Sequence, residues 1–275
     1  MRTISNVFIR GVMKMADTRV ICFANNKGGS GKSTTCSNVG YFMAAEGKRV
    51  LLIDGDMQLN LSLAYFDEEK VLSIAASEKN LYNAIKKQED LTEYVLPAGY
   101  ENLDIVPSST LMSSIEFELF SKWQREYVLK KCLQKLKDSG KYDYILIDSP
   151  PTLGGWVMNI LAASDYLIVP VEASPWGLFG LSNLFEFLSE AKGVAPDLQI
   201  AGIAVTKVDG RKNYFKQTME TLKELPAHVF GTQIHLDSNI EWAQDNSKPV
   251  GKYKRSSRSS KEYYELTKEV MEVCR

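Results

Sequence analysis

The sequence has few cysteines and no long apolar run. Its 275 residues include four cysteines, none in a C-x-x-C pair: Cys22, Cys36, Cys132 and Cys274. This spacing indicates neither a zinc site nor a disulfide framework, and it is typical of a protein of the reduced cytoplasm. We expect Cys22 and Cys132 to lie in the core. No apolar stretch approaches the roughly 18 residues that a membrane-spanning helix requires.

The chain also lacks a strong net charge, low-complexity segments and internal repeats. Its 33 Lys and Arg residues nearly balance 34 Asp and Glu residues, and the net charge of −1 argues against a generally cationic nucleic-acid binder. With 44% hydrophobic residues and no linker rich in Pro, Gly or Ser, residues 17–275 are expected to form one α/β domain. Residues 1–16 contain Arg2, Arg10 and Lys14 but no signal-peptide core, so we expect a flexible arm or a segment upstream of the true start.

Alternating strand and helix patterns predict a mostly parallel sheet. Short apolar runs bounded by turn residues are typical of buried parallel strands. One or two helices are predicted over residues 116–136. The predicted parallel strands lie near residues 20–24, 50–54, 103–106, 143–148, 165–170, 200–206 and 229–234.

A glycine-rich loop follows the first predicted strand. Residues 26–34 read Asn-Lys-Gly-Gly-Ser-Gly-Lys-Ser-Thr and precede a stretch of helical period. Strand, loop and helix in this order form a phosphate-binding loop, in which backbone N–H groups and the positive end of the helix dipole surround the anion. Lys32 is expected to reach the β- and γ-phosphates, and the Ser33 hydroxyl to ligate Mg²⁺. The predicted nucleotide-binding residues of the loop are Lys27, Gly28, Gly29, Ser30, Gly31, Lys32, Ser33 and Thr34.

Two of the apolar runs end in aspartate. Asp54 and Asp148 would each be carried to the carboxyl edge of the sheet, beside the glycine-rich loop. Asp148 is predicted to hold Mg²⁺ through water, and Asp54 to bond the metal-bound water from further out. Asp56 follows in the loop, where it is a candidate to orient or deprotonate the attacking water. An aspartate after a strand is also a common turn former, and for Asp54 this alternative stays open.

Several motifs in this order resemble one known family. They are the lysine-led loop at 26–34 and the segments 51–60, 103–108, 142–154 and 165–171. Together they resemble the ParA family of DNA-partition ATPases, within the deviant Walker-A group that also includes MinD. The likeness covers roughly residues 18 to 270. Met57 departs from the pattern, because the family usually has Pro there.

The resemblance implies a P-loop NTPase fold, with a twisted sheet of about seven or eight strands and helices on both faces. It implies Mg²⁺-dependent hydrolysis of ATP, with Lys27, Lys32 and Asp56 as the catalytic residues. ATP would hold two copies in a nucleotide-sandwich dimer, in which Lys27 contacts the phosphates bound to the second copy. Hydrolysis, stimulated by a ParB-like centromere-binding protein, would release the dimer. We expect the short form of the family, without a helix-turn-helix domain before Val20.

Three further residues are expected near the nucleotide base. Thr206 and Lys207 lie at the end of a predicted strand, where bases often rest in this superfamily, and Leu236 would belong to the facing wall. Ordinary strand-end chemistry is the alternative for each of them.

Basic residues cluster towards the C-terminus despite the balanced total. Residues 248–261 contain six basic residues and no acidic one, enough to neutralise several phosphates in a salt-sensitive, sequence-independent way. The resemblance implies that the ATP dimer binds non-specific double-stranded DNA through this half of the chain and so associates with the nucleoid. A merely solvated basic face is the alternative. The expected contacts are Lys252, Lys254, Arg255, Arg258 and Lys261, with Arg211 from a second basic group that also contains Lys207, Lys212 and Lys216.

There are three alternative functions, of which the first belongs to the same superfamily. A MinD-like membrane regulator needs a lipid-binding C-terminal helix, but residues 262–275 carry acids as well as bases opposite their apolar face, so a closing helix packed on the sheet is the better interpretation. A reductase like the nitrogenase iron protein needs interfacial cysteine ligands, and none of the four cysteines lies in the loop after Asp148. A spatial regulator of another protein machine stays open.

Overall fold

The computed structural model describes residues 18–211, 214–225 and 227–275. The predicted extension at 1–16 and Lys212 of the second basic group lie outside the described residues, as does the side chain of Lys216.

The described residues contain seven strands, which form one sheet: β1 (Arg19–Phe23), β2 (Val50–Asp54), β3 (Leu96–Tyr100), β4 (Leu103–Val106), β5 (Tyr144–Asp148), β6 (Tyr166–Glu172) and β7 (Gln199–Thr206). Their order across the sheet is β3-β4-β2-β5-β1-β6-β7. All neighbouring pairs are parallel except β3 and β4. The mostly parallel α/β sheet predicted from the sequence is therefore confirmed.

Helices connect these strands across the described part of the chain: α1 (Lys32–Ala45), α2 (Asn60–Leu63), α3 (Glu68–Ala76), α4 (Leu81–Lys87), α5 (Ile115–Phe120), α6 (Val128–Asp138), α7 (Gly155–Ala163), α8 (Pro175–Ala191), α9 (Tyr214–Lys223), α10 (Ser238–Asp245), α11 (Val250–Tyr253) and α12 (Arg258–Val273). Short 3₁₀ helices lie at Leu91–Tyr94, Thr110–Ser114 and Arg125–Tyr127. The helices predicted over 116–136 correspond to most of α5 and most of α6.

The central strands are covered on both faces. Along β1, Val20 and Cys22 point into one apolar core while Ile21 and Phe23 point into the other. Because successive side chains of a strand point to opposite faces, a strand buried on both sides needs an uninterrupted apolar run. The predicted core positions of Cys22 and Cys132 are confirmed.

One predicted strand is wrong. The segment 229–234, which is described throughout, forms no strand: Val229 makes an isolated bridge to Ile203 of β7, and His235, just after the segment, makes another to Val208. Between them, the backbone N–H of Gly231 donates to a Glu269 carboxylate oxygen at 2.6 Å instead of to a neighbouring strand. A carboxylate from α12 thus replaces part of the ladder that the apolar pattern predicts.

β3 is a strand that the apolar pattern does not predict. Its sequence contains Pro97, which lacks a backbone N–H, and Gly99, whose φ is +83°. Both residues weaken a strand interior, and proline is tolerated mainly at a sheet edge. The position of β3 at the edge, antiparallel to β4, agrees with this composition.

The C-terminal helix α12 packs its apolar face inward. Tyr263, Leu266 and Val270 are buried, and the main neighbour of α12 is α1. This confirms a packed closing helix, although it packs chiefly on α1 rather than on the sheet itself. In the described part of the chain, no helix combines the length and the hydrophobicity needed to cross a bilayer.

Candidate functional site

The glycine-rich loop joins β1 to α1, as predicted. Gly29 and Gly31 have φ angles of +73° and +89°, a left-handed conformation that glycine adopts without steric cost. α1 begins at Lys32, so the unpaired N–H groups of its first turn face the loop. A cavity of about 570 Å³ opens here, lined by residues 28–34 together with Asp56. The arrangement is suited to holding a polyphosphate.

Lys32 is a buried cation among carboxylates. It is 6% exposed, and its Nζ donates to the backbone oxygen of Lys27 at 3.2 Å. Burial lowers the pKa of Lys32, while the nearby charges of Asp148 and Asp56 oppose that effect. A cation desolvated in this way gains strongly from an anionic ligand.

Asp148 is buried without a hydrogen-bond partner. Its side chain is fully buried, and neither carboxylate oxygen has a partner among the described residues. Burial, and next the neighbouring charge of Asp54, raise the pKa of Asp148 well above its ordinary range. Buried polar groups are normally satisfied, so an orphaned carboxylate beside a phosphate loop is suited to binding a cation.

Asp54, unlike Asp148, has hydrogen-bond partners for its carboxylate, although the two residues are paired neighbours at the ends of β2 and β5. Asp54 accepts hydrogen bonds from the Ser62 backbone N–H at 2.8 Å and from the Ser62 hydroxyl at 2.6 Å. Burial nevertheless raises the pKa of Asp54 to about 6. Its position beside Asp148 fits the predicted supporting role, with Ser62 fixing its orientation.

The residues present fit Mg²⁺. Asp148 offers free carboxylate oxygens, and Ser33 lies in the first turn of α1. Mg²⁺ is commonly held by one or two carboxylates together with substrate phosphates, so a complete protein cage is not required. The part of the chain that the structure describes contains no group of three or more His, Cys, Asp or Glu side chains placed to hold a metal.

Asp56 lies at the wall of the cavity. It is 5% exposed, and its carboxylate accepts a hydrogen bond from the Gln58 backbone N–H at 3.1 Å. Burial raises the pKa of Asp56, partly opposed by that hydrogen bond and by the charge of Lys32. A carboxylate with a raised pKa at the mouth of a phosphate site is suited to accept a proton.

Lys27 has surroundings unlike those of Lys32. Its Nζ contacts a carboxylate oxygen of Glu172 at 2.5 Å and the Ser174 hydroxyl at 3.3 Å, and its side chain is 24% exposed. Sequence reasoning missed Glu172. The available signal was the one used for Asp54 and Asp148, because Glu172 also ends an apolar strand.

All three predicted base contacts line the cavity. The Thr206 hydroxyl, however, donates to the backbone oxygen of Ser30 at 2.9 Å, so it braces the loop. Lys207 adopts a left-handed φ of +53°, and Leu236 is 54% exposed. Further wall residues that the sequence did not reveal are Ile240, Glu241 and Gln244.

Five of the six predicted DNA-binding cations lie in one exposed region around α11 and the start of α12. Lys252, Lys254, Arg255 and Lys261 are exposed, and within the described residues no ion pair is found for them. Arg258 differs, because its Nε lies 2.6 Å from a Glu262 oxygen. In the second basic group, Arg211 is paired with Asp209 at 2.8 Å. The 252–261 region is therefore the stronger cationic surface.

Residues 18–200 match the model of a protein family described as AAA domain. The sporulation initiation inhibitor protein Soj of Bacillus subtilis is 35% identical over 254 residues, which cover 92% of this chain and 98% of that protein. The chain belongs to the Soj/ParA family. Another member, the chromosome partitioning protein ParA of Caulobacter vibrioides, is 32% identical over 260 residues, covering 92% of this chain and 94% of its own.

Solved structures share the fold of this Soj/ParA chain. Cobyrinic acid a,c-diamide synthase from Mycobacterium smegmatis, with bound ATP analogue and magnesium, gives a TM-score of 0.79 at 25% identity over 91% of this chain and 93% of that one. A Borrelia burgdorferi plasmid partition protein bound to AMPPNP gives 0.76 at 24% identity, covering 93% and 98%. Apo McdA of Cyanothece gives 0.81 at 23% identity, covering 92% and 99%. These likenesses confirm the P-loop α/β fold.

Proposed function

We propose that this protein is a DNA-partition ATPase, cytoplasmic and nucleoid-associated in its ATP state. It binds Mg²⁺ and ATP in the cavity beside the glycine-rich loop, dimerises, and then binds double-stranded DNA without sequence preference. Hydrolysis to ADP and phosphate, stimulated by a ParB-like centromere-binding protein, releases the dimer. Support comes from the partitioning relative in Caulobacter vibrioides and from the ATP analogue and magnesium in the Mycobacterium smegmatis structure.

One observation carries the proposal: the two lysines of the loop have different surroundings. Lys32 is buried and faces the carboxylates of its own chain, so it serves the phosphates bound to that chain. Lys27 is partly exposed, is not among the residues that line the cavity, and its Nζ contacts Glu172 and Ser174. It can therefore exchange Glu172 for a phosphate bound to a second copy. A cation inserted across an interface stabilises charge on the transferring phosphoryl group, as an arginine finger does.

The remaining chemistry is assigned to residues of the same edge. Ser33 and Asp148 would hold Mg²⁺, with Asp54 supporting the metal-bound water, and the metal would neutralise phosphate charge. Asp56 orients the attacking water and accepts its proton as the bond to the γ-phosphorus forms. Lys32 stabilises the charge that moves to the oxygen between the β- and γ-phosphates.

DNA binding is assigned to the exposed cations at 252–261. A single copy offers few phosphate contacts, whereas a dimer doubles them on one rigid body, which raises affinity through effective concentration. ATP-dependent dimerisation would thereby become ATP-dependent DNA binding without any base-specific contact.

Sedimentation velocity with Mg²⁺ and ATP tests the switch, alongside a steady-state phosphate-release assay. Lys27→Ala should keep a folded, ATP-binding monomer but lose dimerisation, with hydrolysis lowered by about 10³-fold or more. Asp56→Ala should bind ATP and accumulate as a dimer. A Lys27→Ala variant that dimerises like the wild type, or an Asp56→Ala variant with rapid turnover, would contradict the assigned roles.

A further inference from the structure

In the turn between Asp54 and Asp56, both the N–H and the carbonyl of Gly55 are hydrogen-bonded. The Gly55 N–H donates to the Asp148 backbone oxygen at 3.0 Å, and the Gly55 carbonyl accepts a hydrogen bond from the Trp156 indole N–H at 2.8 Å. A Cβ at position 55 would lie 2.6 Å from the Asp148 oxygen, so only glycine fits between β5 and Trp156 without movement.

The Trp156 bond acts on the peptide plane that carries Asp56. The Gly55 carbonyl and the Asp56 N–H belong to one planar peptide unit. Trp156 holds the carbonyl end, while the Asp56 N–H donates to an Asp54 carboxylate oxygen at 3.3 Å. With both ends of the plane held, the direction in which the Asp56 side chain leaves the backbone is restricted.

Trp156 is itself held from a different element. It is 2% exposed and lies in the first turn of α7, where its backbone N–H donates to a Glu116 carboxylate oxygen at 2.8 Å. α7 has no side-chain cap at Gly154, so Glu116 from α5 supplies the acceptor and a favourable negative charge at the helix start. A Cβ at Gly154 or Gly155 would lie 2.6 or 2.7 Å from a Glu116 oxygen, so both glycines leave room for this carboxylate.

We propose that Trp156 is a positioning residue for ATP hydrolysis, which fixes Asp56 through the Gly55 carbonyl, and that Glu116 sets the position of Trp156. The inference rests on the proposed function, because it assigns a task to the turn that carries the proposed water-orienting aspartate. A Trp156 that only filled the core would contribute stability through its ring, and loss of the N–H alone would leave catalysis unchanged. If Trp156 positions Asp56, loss of its indole N–H lowers the rate of hydrolysis even when the ring is kept.

The test uses Trp156→Phe, which keeps an aromatic ring and removes the donor. With saturating ATP and Mg²⁺, the expected result is a kcat lowered by about tenfold or more, since small misplacements of catalytic groups are costly. ATP affinity should stay within about twofold, because Asp56 acts on the water rather than on bound nucleotide. In an Asp56→Ala background, Trp156→Phe should cause no further loss, as expected for two residues acting through one group. The matched control is Trp123→Phe, at an exposed tryptophan after α5, which should change neither quantity.

Glu116 gives a second route if Trp156→Phe fails to fold. Glu116→Gln keeps an acceptor for the backbone N–H of Trp156 and should retain most of kcat. Glu116→Ala removes that acceptor and should lower kcat, while ATP binding is kept. If the wild type is active but kcat is unchanged in Trp156→Phe or in Glu116→Ala, the role assigned to Trp156 is overturned while the proposed function still stands. Additive losses in the Asp56→Ala background would overturn that role as well. A wild type that does not hydrolyse ATP would overturn the proposed function, and this inference with it.

Discussion

Lys27 and Glu172 form the contact that ATP must break if Lys27 is to act on a second copy. The pair is partly exposed, with side-chain exposures of 24% and 29%, so it is screened by solvent. Exposed pairs of this kind contribute about 0.2–1 kcal/mol. Glu172 thus keeps Lys27 away from the cavity by a weak interaction, and nucleotide binding can offset the small free energy lost when this pair breaks.

Glu172→Gln should release Lys27 and ease the ATP-driven step. We expect the ATP concentration for half-maximal dimerisation to fall by about 1.5- to 5-fold, which corresponds to the loss of such a pair. Sedimentation velocity over an ATP titration measures this concentration. The control is the same substitution in a Lys27→Ala background, where it should not restore dimerisation. A higher half-maximal ATP concentration in Glu172→Gln would contradict the competition between Glu172 and phosphate.

Asp237 is a stabilising carboxylate at the start of α10. Burial alone raises its pKa, but hydrogen bonds from Asn239 and Ser259 outweigh this effect and lower the pKa of Asp237 to about 2. A folded-state pKa below the unfolded value of about 3.9 gives stability that is complete above that value and is lost as pH falls towards about 2.

Asp237→Asn should therefore destabilise the protein most at neutral pH. We expect a loss of about 1 kcal/mol near pH 7, after allowing for solvent screening of this partly exposed group. The difference from the wild type should shrink as pH falls from about 4 towards 2. Urea unfolding at several pH values measures it, and a difference that stays constant over this range would contradict the assigned cause.

The positions of site residues were predictable where the signal comes from neighbouring residues in the sequence. Lys32, Ser33 and Asp148 follow from a local motif or from a strand end. The contacts that hold them do not, since Lys27 with Glu172 and Trp156 with Gly55 are 145 and 101 positions apart. Only the sheet order brings these pairs together.

At the scale of elements, α11 and the start of α12 present the cations that we propose bind DNA. Binding that neutralises phosphates has a salt slope of about −0.9 per contact. Lys254→Ala should reduce the magnitude of that slope by about 1 to 2, according to whether one or both copies contact DNA through this residue. Arg258→Ala should have a smaller effect, because Arg258 is already paired with Glu262.

Lys268→Ala is the control for this element, because Lys268 lies further along α12 and is paired with Glu265 at 2.9 Å. Affinities for a random-sequence duplex at several salt concentrations provide the slopes. Equal slopes for Lys254→Ala, Lys268→Ala and the wild type would remove the 252–261 region as the DNA surface.

Elements were predictable where both faces of a strand are covered. β2 and β5 are buried along their whole length, which forces the continuous apolar runs that reveal them. β3 was missed because Pro97 and Gly99 are tolerated at an edge. The segment 229–234 has a strand-like pattern, but Glu269 takes backbone donors that a ladder would have used.

At the scale of the whole molecule, the central parallel strands β2, β5 and β1 bring the site together. Their adjacent carboxyl ends place Asp54, Asp148 and the glycine-rich loop at one edge of the sheet. The proposed ATP site lies at that edge, whereas the basic residues proposed to bind DNA lie on α11 and α12. ATP-dependent DNA binding therefore requires that the two sites be coupled. We assign that coupling to ATP-driven dimerisation.

Fluorescence anisotropy of a random-sequence duplex tests this coupling most directly, with the protein titrated in Mg²⁺ plus ATP, ADP or no nucleotide at two salt concentrations. We expect salt-sensitive binding with ATP only, and loss of that binding in Lys27→Ala. Equal binding in all three nucleotide states, or none in any, would contradict this expectation and point to a membrane or another protein as the surface on which the switch acts.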